Sequence, residues 1–274
     1  MSAIEKHPDL HYSQGLNSIG ATVLLGEGPE KCRTFLNRFL MWHGSPYCQA
    51  SLKETNAVLG VLDTLISAID PEYGSLLRSQ PLLSLHMYAL DSIMTWFSHA
   101  SPSAEVGCQW HRLLSSRHPL LVVYAVAVLA VSKRDLVLRE FAGSDAMAVS
   151  GPVHTILKRY PLSVSPTAVM AMADAWAVRL PPRDLLLASS EDTRETLKTV
   201  PVLWADASEI PNIWSSEEDG DRADAGLPKG LGSKAMAMAD DPDALARSSG
   251  TAKTARISRA ALARCVNQFS PHGG

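Results

Sequence analysis

Apolar residues recur at helical spacing through the first two thirds of the chain. The clearest stripe has spacings of four, three and four positions and consists of Val58, Leu62, Leu65 and Ile69. This period places the four side chains on one face of a helix that begins near Ser51. The helix is predicted to stop at Asp70, because Pro71 follows and the residue before a proline is disfavoured in helical geometry.

Further helices are predicted wherever the same period returns between glycine or proline breaks. They cover residues 12–25, a segment that opens at Pro29, and residues 81–97, 105–115, 120–131, 152–160 and 167–178. The helix over 81–97 is predicted to carry on one face Leu83, Met87, Leu90, Met94 and Phe97. No stretch alternates with period two, and no hairpin turn separates two apolar runs. The pattern predicts an all-α fold, an irregular multi-helix domain without long heptads.

The composition of the chain changes near residue 187. Residues 1–187 are dense in Leu, Val, Ile and Met, whereas residues 188–274 are polar and biased. The second part contains an acidic cluster of Glu217, Glu218, Asp219, Asp221 and Asp224. It then runs through Gly, Ala and Ser to a basic stretch at 247–264. We expect one helical domain at 1–187 and a low-complexity, disordered tail at 188–274.

Charge and cysteine content exclude several classes of protein. A net charge of −3 and a pI near 6.3 give no sign of a nucleic-acid surface. The four cysteines form no CxxC pair and no disulfide framework, which is typical of a reducing compartment. The N-terminus has no signal-peptide pattern, and the apolar run 120–131 is too short to span a bilayer. The expectation is a cytoplasmic protein without an integral membrane segment, and that run is expected to be a buried helix.

Motifs of common enzymes are missing from the sequence. There is no GxSxG elbow, no GxxxxGKS loop and no HExxH pair. His86 and His99 stand alone on predicted helices and are interpreted as polar structural residues rather than metal ligands. Cys48 has no histidine base placed beside it in sequence, so it is interpreted as an inert thiol. We expect neither a metal nor a bound cofactor.

One polar string stands out from this background: Tyr12-Ser13-Gln14-Gly15-Leu16-Asn17. A glutamine or asparagine at a helix entrance is commonly a cap or a solvent contact. The whole string, however, resembles the YxQGMN motif of TBC domains. The resemblance continues through Asp70-Pro71-Glu72, Leu85 to Leu90, Trp96 to His99 and His118-Pro119-Leu120. Gln109-Trp110-His111 keeps the tryptophan of the family's RLWD pattern but has a histidine in place of the acid.

The resemblance implies a GTPase-activating protein for a Rab-family small GTPase, that is, an activator of its partner's reaction. Gln14 would be the glutamine finger that positions the attacking water. Tyr12, Gly15 and Asn17 would be the motif residues that support the position of Gln14. GTP and Mg²⁺ would be bound by the Rab partner. The subgroup that the chain resembles acts in vesicle trafficking between the endoplasmic reticulum and the Golgi. That implies a location peripheral to those membranes.

The same resemblance requires an arginine finger upstream of Tyr12. The eleven residues before Tyr12 contain no arginine, and the first arginine of the chain is Arg33. Residues 1–187 are therefore expected to form only the later, C-terminal part of a TBC-type domain. Since an arginine finger supplied in trans is worth roughly 10³ to 10⁵ in rate, we expect this chain to be a poor activator. The alternative is a non-catalytic helical module that binds a Rab or another partner. A third interpretation is an unrelated all-α scaffold in which the motif is accidental.

Overall fold

The computed structural model describes residues 9–80, 83–99, 103–143, 146–159 and 164–213, together with Leu231 and Met236. For 103–108, 143 and 146–148 it describes the backbone alone. Within these ranges every regular element is helical, and no strand is present. The all-α prediction is confirmed.

Thirteen α-helices are present in the described part of the chain. They are α1 Leu16–Glu27, α2 Pro29–Trp42, α3 Lys53–Ile69, α4 Pro71–Arg78, α5 Leu85–Tyr88, α6 Leu90–Met94, α7 Ser103–Ser115, α8 Leu121–Ser132, α9 Arg134–Gly143, α10 Ala146–Lys158, α11 Pro166–Arg179, α12 Pro182–Ala188 and α13 Glu191–Leu197. Two short 3₁₀ turns occupy Ser45–Tyr47 and Pro201–Trp204. Proline stands in the first turn of α2, α4, α11 and α12, where its missing N–H leaves no intrahelical bond unmade.

Helix α8 forms the centre of the molecule. Every residue from Leu121 to Val131 is buried, so the prediction of a buried helix at 120–131 is confirmed. Helices α3 and α11 pack along α8. The Tyr124 hydroxyl donates to the Leu180 carbonyl oxygen at 2.5 Å, and the Tyr73 hydroxyl donates to the Ala130 carbonyl oxygen at 3.1 Å. These two bonds satisfy polar groups that burial would otherwise leave unpaired.

Two of the predicted helices differ from those observed, and some observed helices have no predicted counterpart. The helix predicted over 81–97 is broken into α5 and α6, and Trp96 and Phe97 then adopt left-handed φ angles of 48° and 64°. Pro152 lies inside α10 rather than at its start. Helix α9 was not predicted, because its mixed polar sequence was interpreted only as the end of the preceding helix.

Packed structure continues beyond the boundary predicted at residue 187. Helix α13 lies against α3, and a Cβ at Gly60 would stand 2.7 Å from the Thr193 hydroxyl, so the two helices approach closely. Trp204 is fully buried and its Nε1 donates to the Leu197 carbonyl oxygen at 3.0 Å. The helical domain therefore extends to at least residue 213. Of the remaining predicted tail, only Leu231 and Met236 are among the described residues, and both pack on the core.

Candidate functional site

The predicted finger residue lies in a short loop that leads into α1. Two contacts tie this loop to the chain after the 3₁₀ turn at 45–47. The His11 N–H donates to the Cys48 carbonyl oxygen at 2.7 Å, and the Ser13 hydroxyl lies 3.6 Å from the Cys48 sulfur. Burial raises the pKa of the Cys48 thiol, so Cys48 acts here as a neutral packing and anchoring residue.

Gly15 lets the loop turn into the helix. Its φ of 110° lies in the left-handed region that side chains disfavour. A Cβ at this position would also stand 2.9 Å from the Thr95 methyl carbon and 3.3 Å from the Met94 carbonyl oxygen. The loop thus rests directly on the end of α6. This arrangement gives a structural reason for glycine immediately after Gln14.

The Gln14 side chain is exposed, and no described residue forms a hydrogen bond with it. Its backbone, in contrast, is bracketed by the bond from Leu16 N–H to the Ser13 carbonyl oxygen, 3.2 Å long, and by the first turn of α1. A free amide on a fixed backbone can offer one donor group and one acceptor to a molecule bound in front of it. Asn17 is also exposed, on the outer side of the first turn.

The loop forms one side of an open cleft of about 680 Å³. The other sides are the segment 47–52, the segment 86–99 that includes α6, and the end of α10. His154 Nε2 lies 2.9 Å from the Met87 carbonyl oxygen and holds α10 against α5. His86 Nε2 lies 2.8 Å from the Asn56 side-chain oxygen and holds α5 against α3. The structure thus brings Tyr12, Gln14 and Gly15 together at this cleft.

Apolar side chains stand at the rim of the cleft. Tyr12 is 62% exposed, Leu52 53% and Met87 48%. Large apolar side chains grouped around one opening are typical of a surface that contacts another protein. The cleft is therefore better suited to a macromolecular partner than to a small polar ligand.

The cleft carries little formal charge. Among its lining residues the charged side chains are Asp91 and Lys158, accompanied by three histidines and no arginine. No group of three His, Cys, Asp or Glu residues within the described ranges is placed to hold a metal ion. In the same part of the chain, no helix is long and apolar enough to cross a membrane.

A buried aromatic and histidine cluster lies behind the cleft. His43 is fully buried, and its ring lies edge-on to Trp96 with centroids 5.6 Å apart. Desolvation, with a smaller contribution from His118, lowers the pKa of His43 to about 3. Trp110 Nε1 donates to the Trp96 carbonyl oxygen at 2.6 Å and its ring stacks on Phe35. The tryptophan of the predicted RLWD-like string is thus a core residue, whereas His111 beside it is exposed.

Three side chains near Gln14 are joined by hydrogen bonds that were not predicted from the sequence. The Ser18 hydroxyl lies 2.5 Å from His99 Nε2, and His99 Nδ1 lies 3.0 Å from an Asp91 carboxylate oxygen. Ser18 and His99 are 81 positions apart, so no local pattern could join them. His99 was interpreted as a lone polar residue, and the structure gives it two partners.

Comparison with known proteins places this sequence in a family. Residues 2–137, about half of the chain, match the Rab-GTPase-TBC domain. The chain is 24% identical to TBC1 domain family member 20 of Homo sapiens over 182 residues, which are 66% of the chain. The identity and the coverage are the same for the Mus musculus protein. The chain is 25% identical over 169 residues, 60% of the chain, to the GTPase-activating protein gyp10 of Schizosaccharomyces pombe.

The chain belongs to the Rab-GTPase-TBC domain family. It spans 43% of the length of each of these relatives. The matched segment 2–137 contains the Gln14 loop, α6 and the central helix α8.

Proposed function

We propose that the chain activates GTP hydrolysis by a Rab-family small GTPase, and that Gln14 orients the attacking water. One observation carries the proposal: an exposed glutamine on a tethered loop faces an open, apolar-rimmed cleft in a Rab-GTPase-TBC domain. The relatives support the class of activity, since gyp10 is named a GTPase-activating protein.

The chemistry of phosphoryl transfer suits a neutral amide. The reaction needs positioned groups and charge stabilisation, and little covalent chemistry from the protein. The Gln14 carbonyl oxygen can accept from the water while its NH₂ donates to a phosphate or backbone oxygen. Because the Gln14 side chain has no partner among the described residues, it is available for both bonds without breaking one.

The partner GTPase is proposed to dock on the cleft with its nucleotide facing Gln14. Tyr12, Leu52 and Met87 would contact its apolar surface around the reacting phosphate. GTP and Mg²⁺ would be held by the GTPase. We further propose that the protein acts peripherally at membranes of the early secretory pathway. This location is supported by the resemblance of the motif alone.

A second candidate function is a binding module that docks a Rab without accelerating hydrolysis. The observation that favours it is the lining of the cleft, which contains no arginine among the described residues. Transition-state charge would then remain without an arginine from this surface. The two candidates share the docking surface and differ in their effect on the rate of hydrolysis.

The test is single-turnover GTP hydrolysis by a panel of purified Rab proteins, with and without the full chain. For the partner Rab, we expect acceleration that falls at least roughly tenfold in Gln14→Ala, because loss of one positioned donor or acceptor has an effect of this order. Binding of the same Rab is measured in parallel. Gln80→Ala, which removes a glutamine that does not line the cleft, is the matched control and should keep most of the acceleration.

Three results are distinguishable. Acceleration lost in Gln14→Ala and kept in Gln80→Ala supports the glutamine role. Binding to a Rab without acceleration supports the binding module. Absence of both binding and acceleration across the panel would overturn the proposed function.

A further inference from the structure

We infer that Ser18, His99 and Asp91 form a positioning relay that fixes the first turn of α1, and with it the Gln14 backbone, onto α6. The inference rests on the proposed function for its catalytic meaning. Its geometry stands independently, on the distances of 2.5 Å and 3.0 Å along the chain of three side chains.

The direction of the hydrogen bonds follows from the acid. A carboxylate can only accept, so His99 Nδ1 must donate to Asp91. In the neutral ring the other nitrogen is then an acceptor, and it receives the Ser18 hydroxyl proton. The Asp91 carboxylate therefore fixes both the tautomer and the orientation of His99, as a carboxylate partner does in other histidine sites.

This order of groups matches that of a nucleophilic serine, but the two backbone N–H groups nearest the hydroxyl are not free for that chemistry. An acyl-transfer site needs free backbone N–H groups to stabilise an oxyanion. Here the Ser18 and Ile19 N–H groups both donate to the Gly15 carbonyl oxygen, at 3.0 and 3.1 Å. The N–H groups beside the hydroxyl are already used, so the relay holds structure in place.

The position of the relay explains what it holds. Ser18 is in the first turn of α1, four residues after Gln14, and the other two residues of the relay come from the segment that carries α6. The loop itself touches that segment at Gly15, through Met94 and Thr95. On its other side the loop is tied to Cys48. Without the relay, no side-chain hydrogen bond within the described residues would join the first turn of α1 to the segment 86–99.

Ser18→Ala is the cleanest variant, because Ser18 does not line the cleft whereas Asp91 and His99 do. The matched control is Thr22→Ala on the same helix, whose hydroxyl donates only to the Ser18 carbonyl oxygen. Asp91→Ala removes the acceptor for His99. Asp91→Asn keeps an acceptor oxygen at that position and should restore the wild-type behaviour.

The first readout needs no GTPase. Backbone order parameters from ¹⁵N relaxation at residues 13–18 should fall in Ser18→Ala and Asp91→Ala, and remain at the wild-type level in Thr22→Ala and Asp91→Asn. The unfolding midpoint of Ser18→Ala should match that of Thr22→Ala. Unchanged order parameters in Ser18→Ala, or the same loosening in both alanine variants of α1, would overturn the relay.

The second readout is activation of the partner Rab. In Ser18→Ala we expect kcat to fall roughly 2- to 10-fold, the size of one net hydrogen bond, with KM unchanged. A rise in KM with kcat kept would mean that the three residues shape the docking surface, and would contradict a role in positioning. If the wild-type chain activates no Rab, the proposed function fails while the relaxation measurement still decides on the relay.

Discussion

Gly15 combines a backbone requirement and a packing requirement at one residue. Its left-handed φ disfavours any side chain, and a Cβ would press on Thr95 and on the Met94 carbonyl. We expect Gly15→Ala to lower the free energy of unfolding by about 1–3 kcal/mol and to displace Gln14. Urea unfolding followed by circular dichroism measures the first effect, and loss of GTPase activation measures the second.

Gly26→Ala is the control for that substitution. Gly26 is inside α1, and a Cβ there would meet no atom within 4 Å. Alanine should stabilise this helical position by about 0.5–1 kcal/mol. Equal effects of the two substitutions would show that the geometry of Gly15 is not a requirement.

Because His43 is buried, the free energy of unfolding should depend on pH. Burial and His118 lower its pKa from 6.5 to about 3, so between these values the unfolded chain binds a proton that the folded chain does not. Stability should therefore fall as the pH decreases below 6.5, by about 2 kcal/mol at pH 5 from this residue alone. Urea unfolding at pH 7 and pH 5 should give a smaller difference for His43→Leu than for the wild type.

A second histidine, His118, is partly buried and titrates in the same window. Burial lowers the pKa of His118 to about 4, so part of the acid sensitivity should persist in His43→Leu. His111→Leu, at an exposed position, should leave the difference between pH 7 and pH 5 as in the wild type. A full wild-type difference in His43→Leu would contradict the role of His43.

At the scale of elements, one acid joins two helices. An Asp70 oxygen accepts the Tyr73 N–H at 3.0 Å and caps α4, and the other accepts Arg134 Nε at 2.6 Å at the start of α9. Asp70→Ala should lower the free energy of unfolding by about 1–2 kcal/mol, mostly through the lost cap. Asp70→Asn keeps a capping oxygen and should lose less than half as much in the same urea titration. Equal losses in both variants would rule out the cap as the main contribution.

Some helix boundaries could be predicted from the sequence and others could not. The end of α3 at Ile69 and the start of α2 at Pro29 follow from proline chemistry, which is local, and both were predictable. The break at Trp96 was not, because its left-handed backbone accompanies a bond from Trp110 and packing against Phe39. Those partners are distant in sequence. The same is true of Ser18, His99 and Asp91, whereas Gln14 was found because its motif is contiguous.

At the scale of the whole molecule, the helical domain is longer than composition indicated. Residues 188–213 read as polar, yet they bury Leu197, Leu203 and Trp204 against α3 and α12. The burial could not be predicted from the sequence, because these elements are short and two or three apolar residues do not define a helical period. A boundary drawn from composition therefore separates a part of the core from the rest.

Substitution of Trp204 tests how much the segment 188–213 contributes to the stability of the domain. Trp204→Ala should lower the free energy of unfolding by about 3–5 kcal/mol, since it empties a fully buried site and removes the bond to Leu197. Circular dichroism during urea titration reports it without relying on tryptophan emission. Val178→Ala, at a position 80% exposed, should change stability by less than about 0.5 kcal/mol. Comparable effects would mean that the segment 188–213 is peripheral to the fold.

The central position of α8 has a consequence during synthesis. This helix is apolar on all sides, and α11, which covers one of them, is made only after α9 and α10. Ribosomes add about 5–20 residues per second, so the nascent chain carries the uncovered helix for seconds. A segment of this kind is a natural substrate for chaperones that hold apolar chains. The yield of folded protein in cells should therefore depend on chaperone supply more strongly than the stability of the finished domain would indicate.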